Sequence, residues 1–138
     1  MTVNGVPLWQ MHTVVTVSSL PLFLGALLTD WAYASSYQIQ WTNFADWLNV
    51  GGLTLAGVAL AWAAVAEIVS PRRHAGRRWL DVALLAVTVV LGIANAFVHA
   101  KDGWAAMPAA PILSMLVMVV AMAASVVGLT RLGRRAHQ

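Results

Sequence analysis

The sequence predicts an all-α integral membrane protein, a four-helix bundle with its N-terminus and its C-terminus both on the cytoplasmic side (N-in/C-in). Apolar residues make up 60% of the chain and charged residues only 9%, whereas about a quarter of the residues in an ordinary soluble domain are charged. The apolar residues fall into four runs of the length, about 20 residues, that an α-helix needs to cross a bilayer. Too little polar surface remains to cover a soluble domain of 138 residues. The apolar side chains must therefore face lipid.

The four predicted helices form one transmembrane domain that occupies residues 1–138. They cover residues 7–29, 46–69, 79–99 and 111–130. None of the runs alternates apolar and polar residues, as the strands of a membrane β-barrel do. No internal repeat or linker divides the chain, so we expect a single bundle.

The distribution of lysine and arginine predicts the orientation. The connection at residues 70–78 and the C-terminal tail together contain seven arginines, and the other two connections contain only Lys101. The seven are Arg72, Arg73, Arg77, Arg78, Arg131, Arg134 and Arg135. Because basic connections are retained in the cytoplasm, this bias places both termini inside and residues 31–45 and 100–110 outside.

Composition and motifs argue against several classes of function. The chain has a net charge of +3 and a pI near 10.2, but its basic residues follow membrane topology and form no stripe that would bind nucleic acid. The lack of cysteine excludes disulfides and thiolate chemistry. No phosphate-binding loop, dinucleotide fingerprint, nucleophile elbow or zinc-protease motif occurs. The sequence therefore favours a protein that is not an enzyme.

Polar residues near the outer ends of the predicted helices form a candidate site, because each polar group in a membrane must find a partner or line water. Asn95, His99 and Asp102 share one face of the third helix. The predicted outer cluster comprises Asp30, Asp46, Asn49, Asn95, His99 and Asp102, with Trp41 and Trp104 at its rim. Two interpretations stay open: helix-end capping and packing, or a site that binds a ligand or a partner.

A second polar pair is predicted at the cytoplasmic end. His12 and Glu67 lie about one turn inside the first and second helices, so depth matching places them within one helical turn of each other. A carboxylate–imidazole pair could relay protons, since histidine titrates near neutral pH. Two interfacial side chains that reach towards water would give the same pattern.

The histidines do not predict a metal site within one chain. His12 and His99 fall on opposite sides of the membrane, and His74 lies in the arginine-rich connection. A single chain therefore cannot supply two axial imidazoles to one haem. Only a haem shared between two protomers would use His99, which leaves a homo-oligomer open.

Three segments resemble a family of small bacterial membrane proteins catalogued as domain of unknown function 2231. They are SLPLFLGALLTDWAYASSYQIQW (Ser19–Trp41), WTNFADWLNVGGL (Trp41–Leu53) and NAFVHAKDGWAAMP (Asn95–Pro108). The resemblance covers most of the chain through Ser114. It implies a multi-pass, four-helix protein of the bacterial inner membrane, without a settled activity. Members of this family look like neighbours of periplasmic oxidoreductases and cytochromes. The resemblance therefore also points to a role in respiratory or redox assemblies.

These features lead to three hypotheses about function. The first is a non-catalytic membrane subunit or anchor of a respiratory or redox assembly, whose outer loops dock a membrane or periplasmic protein. The second is an electron carrier that binds haem b or quinone near the outer face through His99. The third is proton or solute translocation that uses His12 and Glu67.

Overall fold

The protein is described by a computed structural model over residues 2–3, 6–69, 75–101 and 103–136. Its elements are β1 Thr2–Val3, β2 Val6–Pro7, α1 Leu8–Ser36, α2 Ile39–Val69, α3 Ala75–His99, α4 Gly103–Ala106 and α5 Ala109–Ala136. The two strands pair antiparallel over two residues each, in front of α1. Everything else that is regular within the described residues is helical, which confirms the predicted all-α class.

Four of the described helices are long and apolar enough to cross a membrane. The candidate spans are Gln10–Ser36, Ile39–Val69, Trp79–His99 and Ala109–Arg131. Each contains 21 to 31 residues, and about 20 suffice to cross the hydrocarbon core. The chain is therefore a multi-pass membrane protein, as predicted.

The connection predicted at residues 31–45 is mostly helical, because α1 continues to Ser36 and α2 already begins at Ile39. Only Tyr37 and Gln38 link them. Tyr37 adopts the left-handed conformation with φ 56°, and its amide donates to the Tyr33 carbonyl at 2.8 Å, as in helices that end with one left-handed residue. The sequence-based helix ends were wrong here because they were placed where the apolar runs stop. A helix can continue beyond the hydrocarbon layer, where aromatic and polar side chains are favoured.

The four long helices form a closed ring. α1 packs against α2 and α5, and α3 packs against the same two helices, so α1 and α3 lie diagonally across the bundle. The buried positions of α2 are Thr42, Ala45, Asn49, Gly52, Ala56 and Ala59. Those of α3 are Asp81, Leu85, Thr88, Gly92, Asn95 and His99. Both sets alternate steps of three and four residues, the heptad pattern of helices that wrap around one another with a left-handed twist.

Small residues and one large ring fill the middle of the bundle. Phe23 of α1 packs with Ala56, Val117 and Ala121 into a buried apolar layer. Gly52 of α2 makes room for it, since a methyl group at Gly52 would lie 2.8 Å from the Phe23 ring. The bundle therefore has a buried apolar layer between its two ends, and residues of every span pack into or against it.

Candidate functional site

The predicted outer cluster lies at the end of the bundle that holds Tyr37, Gln38 and α4, here called the outer end in keeping with the predicted orientation. Asp30 is six residues before the end of α1, or about 9 Å along the helix axis. His99 is the last residue of α3. Both side chains are buried, with exposed fractions of 1% and 0%.

Asp30 and His99 form a direct pair across the diagonal of the bundle. The Asp30 Oδ1 and His99 Nε2 atoms are 2.8 Å apart. On the other side of the ring, His99 Nδ1 donates to the Asn95 carbonyl oxygen at 2.9 Å. Both ring nitrogens are therefore engaged within the chain, and the imidazole has one fixed orientation.

Three further side chains extend this pair to all four spanning helices. The Ser114 hydroxyl of α5 donates to Asp30 Oδ2 at 2.5 Å. The Asn95 amide donates to Ser114 Oγ at 2.9 Å and to Asn49 Oδ1 of α2 at 3.3 Å. The Asn49 amide donates in turn to the Gly92 carbonyl of α3 at 3.1 Å. We call Asp30, Asn49, Asn95, His99 and Ser114 the outer polar network.

The outer polar network can hold the helices in one register. An unsatisfied polar group in a bilayer interior costs several kcal/mol, so rotation of any one helix would leave partners on at least one other helix unpaired. Asn95 Oδ1 is the one buried network atom without a hydrogen-bond partner in the structure. Apart from the local bond of His99 to Asn95, the network joins residues that are 19 to 84 positions apart in the chain, so it holds different helices together and is not a set of helix caps.

The structure brings together four of the residues predicted for the outer cluster: Asp30, Asn49, Asn95 and His99. Asp46 is half-buried one turn before Asn49. Asp102 lies outside the described residues.

The two predicted rim tryptophans lie apart from the outer polar network. Trp41 packs against Phe44 with ring centroids 5.9 Å apart. Trp104 is 73% exposed and contacts Tyr37 at 5.5 Å. Neither ring is hydrogen-bonded to the network, so both belong to the aromatic surface at the outer end.

Sequence reasoning missed Ser114, which bonds to two members of the outer polar network. The residue is a lone hydroxyl in an apolar run, and serine in a membrane helix commonly bonds back to its own helix carbonyls. Its position five residues into α5, at the depth of Asp30, was the available signal.

The pair predicted at the cytoplasmic end, His12 and Glu67, is arranged differently from the prediction. The His12 Nε2 atom donates to the Ala59 carbonyl of α2 at 3.1 Å, and its ring meets Trp62 edge-on. Ala59 precedes Glu67 by eight residues, about 12 Å along the helix. His12 is therefore bonded to the backbone of α2 and not to the Glu67 carboxylate.

A second ion pair joins α3 and α5 near the opposite end. The Arg131 guanidinium lies 2.7 Å from Asp81 Oδ2, and the Asp81 side chain is buried. The bond to Arg131 ties two helices together at this end.

Within the described residues, no three histidine, aspartate or glutamate side chains converge as a metal site. His99 has no free ring nitrogen that could ligate a haem iron, because both are bonded within the chain. A ligand role for His99 would require the bond to Asp30 to break.

The fold and the outer polar network define a class: a multi-pass helical membrane protein with a closed polar core at one end of its bundle. No family model, curated protein or solved structure matches the chain. The resemblance to domain of unknown function 2231 therefore stays a prediction, carried by the three segments named above.

Proposed function

We propose that the chain is a non-catalytic subunit or anchor in the bacterial inner membrane, with both termini in the cytoplasm. Its outer end docks a membrane or periplasmic partner that belongs to a respiratory or redox assembly. The redox character of the partner rests on the family resemblance. The docking role rests on the contrast between what is buried and what is exposed at the outer end.

That contrast is the observation that supports the proposal. The polar side chains that could bind a substrate are buried and bonded to one another in the outer polar network. The large side chains around them are exposed instead. This outer aromatic group comprises Trp31, Tyr37, Phe44, Trp47, Phe97 and Trp104, all more than half exposed. Aromatic residues are enriched both at membrane interfaces and at the centres of protein interfaces.

The other two hypotheses have less support. An electron carrier that binds haem b or quinone through His99 needs a free imidazole nitrogen, and the outer polar network uses both. Translocation through His12 and Glu67 needs a polar route through the bundle. The buried layer around Phe23 and Val117 is apolar, and the hydroxyl of Thr88 is bonded to its own helix.

Purification from native membranes in a mild detergent tests the docking role. We expect the tagged wild-type protein to copurify with a partner that has the absorption spectrum of a redox cofactor. Trp47 and Trp104 are the two most exposed members of the outer aromatic group, at 75% and 73%. The W47A/W104A variant should therefore recover the partner several-fold less well. Val90→Ala, on the exposed face of α3, is the matched control and should retain it. Recovery of the wild-type chain alone would contradict the proposal.

Cysteine labelling tests the orientation, and the chain is suited to it because it contains no cysteine. Ser35→Cys and Gly133→Cys place single thiols at exposed positions near opposite ends of the bundle. A maleimide that cannot cross membranes should label Ser35→Cys on intact cells and Gly133→Cys only after permeabilisation. The reverse pattern would overturn the predicted N-in/C-in topology.

A further inference from the structure

The hydrogen bonds of the outer polar network determine where its protons lie. A carbonyl oxygen can only accept, so the His99 Nδ1 atom that contacts the Asn95 carbonyl must carry a hydrogen. The Asn95 amide donates to Ser114 Oγ, which leaves the serine hydrogen to be donated to Asp30 Oδ2. Every contact of the pair but one is thereby assigned a donor and an acceptor.

The remaining contact is the 2.8 Å approach of His99 Nε2 to Asp30 Oδ1. A carboxylate oxygen and an unprotonated ring nitrogen are both acceptors, and without a hydrogen they would repel each other in a buried setting. We propose that Asp30 and His99 form a proton-binding site in which one proton bridges these two atoms and closes the outer end of the bundle. The pair is neutral overall, whether the proton resides on nitrogen, as imidazolium and carboxylate, or on oxygen, as imidazole and carboxylic acid.

The position of the pair gives the proton access from one side. His99 is the last residue of α3, so the pair lies close to water at the outer end. In the other direction, the apolar layer of Phe23, Ala56 and Val117 separates it from the opposite end. The site therefore exchanges its proton with the outer side.

The charged and titratable groups around the pair come from three of the helices. Asp46 of α2 is half-buried, one turn before Asn49. Tyr33 of α1 is buried one turn after Asp30, and Lys101, just after α3, is exposed. In this region α5 contributes only a serine hydroxyl among its described side chains.

Proton counting gives the sign of the pH dependence. In water the two groups titrate near pH 3.9 and pH 6.5. Above about pH 6.5 the separated pair holds no proton while the closed pair holds one, so rising pH favours opening by up to about tenfold per pH unit. Between about pH 3.9 and pH 6.5 both states hold one proton, and the closed state is insensitive to pH. Below about pH 3.9 the separated pair holds two, so falling pH favours opening.

The Asp30→Asn substitution should reverse the direction of the pH dependence while keeping the hydrogen bonds to His99 and Ser114. The asparagine amide can donate to a neutral His99 Nε2, and its carbonyl oxygen can accept from Ser114. The closed variant then holds no bridging proton, whereas its separated His99 takes one up below about pH 6.5. The variant should therefore lose stability as pH falls through that range, and it should be insensitive above it.

The test is the equilibrium of unfolding in mixed detergent micelles, measured from about pH 5 to pH 9. We expect the unfolding constant of the wild type to rise by up to about tenfold per pH unit above about pH 6.5 relative to Asp30→Asn. Asp81→Asn, which makes the same change at the other buried interhelical ion pair, should keep the wild-type slope. Equal slopes for the wild type and Asp30→Asn would overturn the proposal.

A measurement on the folded protein keeps the inference testable if Asp30→Asn does not fold. The side-chain ¹⁵N spectrum of histidine-labelled wild type, with His99 assigned by its loss in His99→Gln, reports both ring nitrogens. Infrared spectra report the carboxyl groups. At about pH 8, where free imidazole is neutral, either a doubly protonated His99 or a protonated buried carboxyl supports the bridging proton. A neutral His99 together with no protonated carboxyl would refute it.

Discussion

Replacing Asp30 with alanine is expected to destabilise the bundle by about 3 to 5 kcal/mol, the usual cost of removing one partner from a buried ion pair. The substitution leaves His99 Nε2 without its partner and the Ser114 hydroxyl hydrogen without its acceptor, both in a buried site. The loss should exceed the ~0.6 kcal/mol that a single interhelical hydrogen bond contributes on average in a membrane protein. Reversible unfolding in mixed detergent micelles measures it.

The neighbouring residue supplies the control for this prediction. Thr29 is half-buried, and its hydroxyl bonds only to carbonyls of its own helix, those of Gly25 and Ala26. Thr29→Ala therefore removes a polar group of α1 without breaking a contact between helices, and it should cost less than about 1 kcal/mol. Equal losses for Asp30→Ala and Thr29→Ala would mean that the outer polar network does not stabilise the fold.

The second large effect concerns two glycines of α2. A methyl group at Gly52 would lie 2.8 to 3.0 Å from three atoms of the Phe23 ring, whereas one at Gly57 would meet nothing within 4 Å. Gly52→Ala should cost about 1 to 3 kcal/mol because the buried ring cannot move aside without strain. Gly57→Ala should be neutral or stabilising by up to about 1 kcal/mol, since alanine favours the helix. Unfolding in the same micelles compares the two variants.

A rescue distinguishes the clash from a general intolerance of Gly52 to substitution. Phe23→Leu removes the ring atoms that the new methyl group would meet, so G52A/F23L should lose less stability than the sum of its single substitutions. Additive losses, within about 0.5 kcal/mol, would show that the ring contact is not the cause.

The sequence predicts the four spans and most members of the outer polar network, but not the contacts between helices. The four spans follow from apolar runs, and Asp30, Asn49, Asn95 and His99 stand out as polar residues inside or beside them. Spacing along one helix places Asn95 and His99 on the same face. This spacing does not show which residue of another helix lies opposite. The bond from His99 to Asp30 across the bundle could therefore be recognised only in the structure.

Helix ends and small polar residues were harder to predict. The aromatic and polar residues around Tyr37 interrupt the apolar run, although the backbone stays helical up to Ser36 and again from Ile39. Ser114 was overlooked because a buried serine commonly bonds to a carbonyl of its own helix and then needs no partner on another helix. Depth matching paired His12 with Glu67, but the imidazole reaches the nearer Ala59 carbonyl. Depth alone cannot distinguish a side-chain partner from a backbone carbonyl.

Two helices carry small residues four positions apart, and only one of them uses these residues to pack closely against a neighbour. Ala124 and Gly128 of α5 are buried, and a methyl group at Gly128 would lie 3.2 Å from the Thr13 side chain of α1. Gly57 and Ala61 of α2 have the same spacing, yet Ala61 is exposed and Gly57 faces open space. Small residues four positions apart allow two helices to approach closely. The rotation of each helix about its axis decides whether those residues face a neighbouring helix.

The central claim is that Asp30 and His99 interact directly and lock the outer end of the bundle. A double-mutant cycle of Asp30→Ala, His99→Ala and the double variant D30A/H99A measures that interaction, because it subtracts whatever each substitution does alone. We predict a coupling free energy of about 1 to 3 kcal/mol, with the double variant losing less stability than the sum of the single variants. Additivity within about 0.5 kcal/mol would contradict the account.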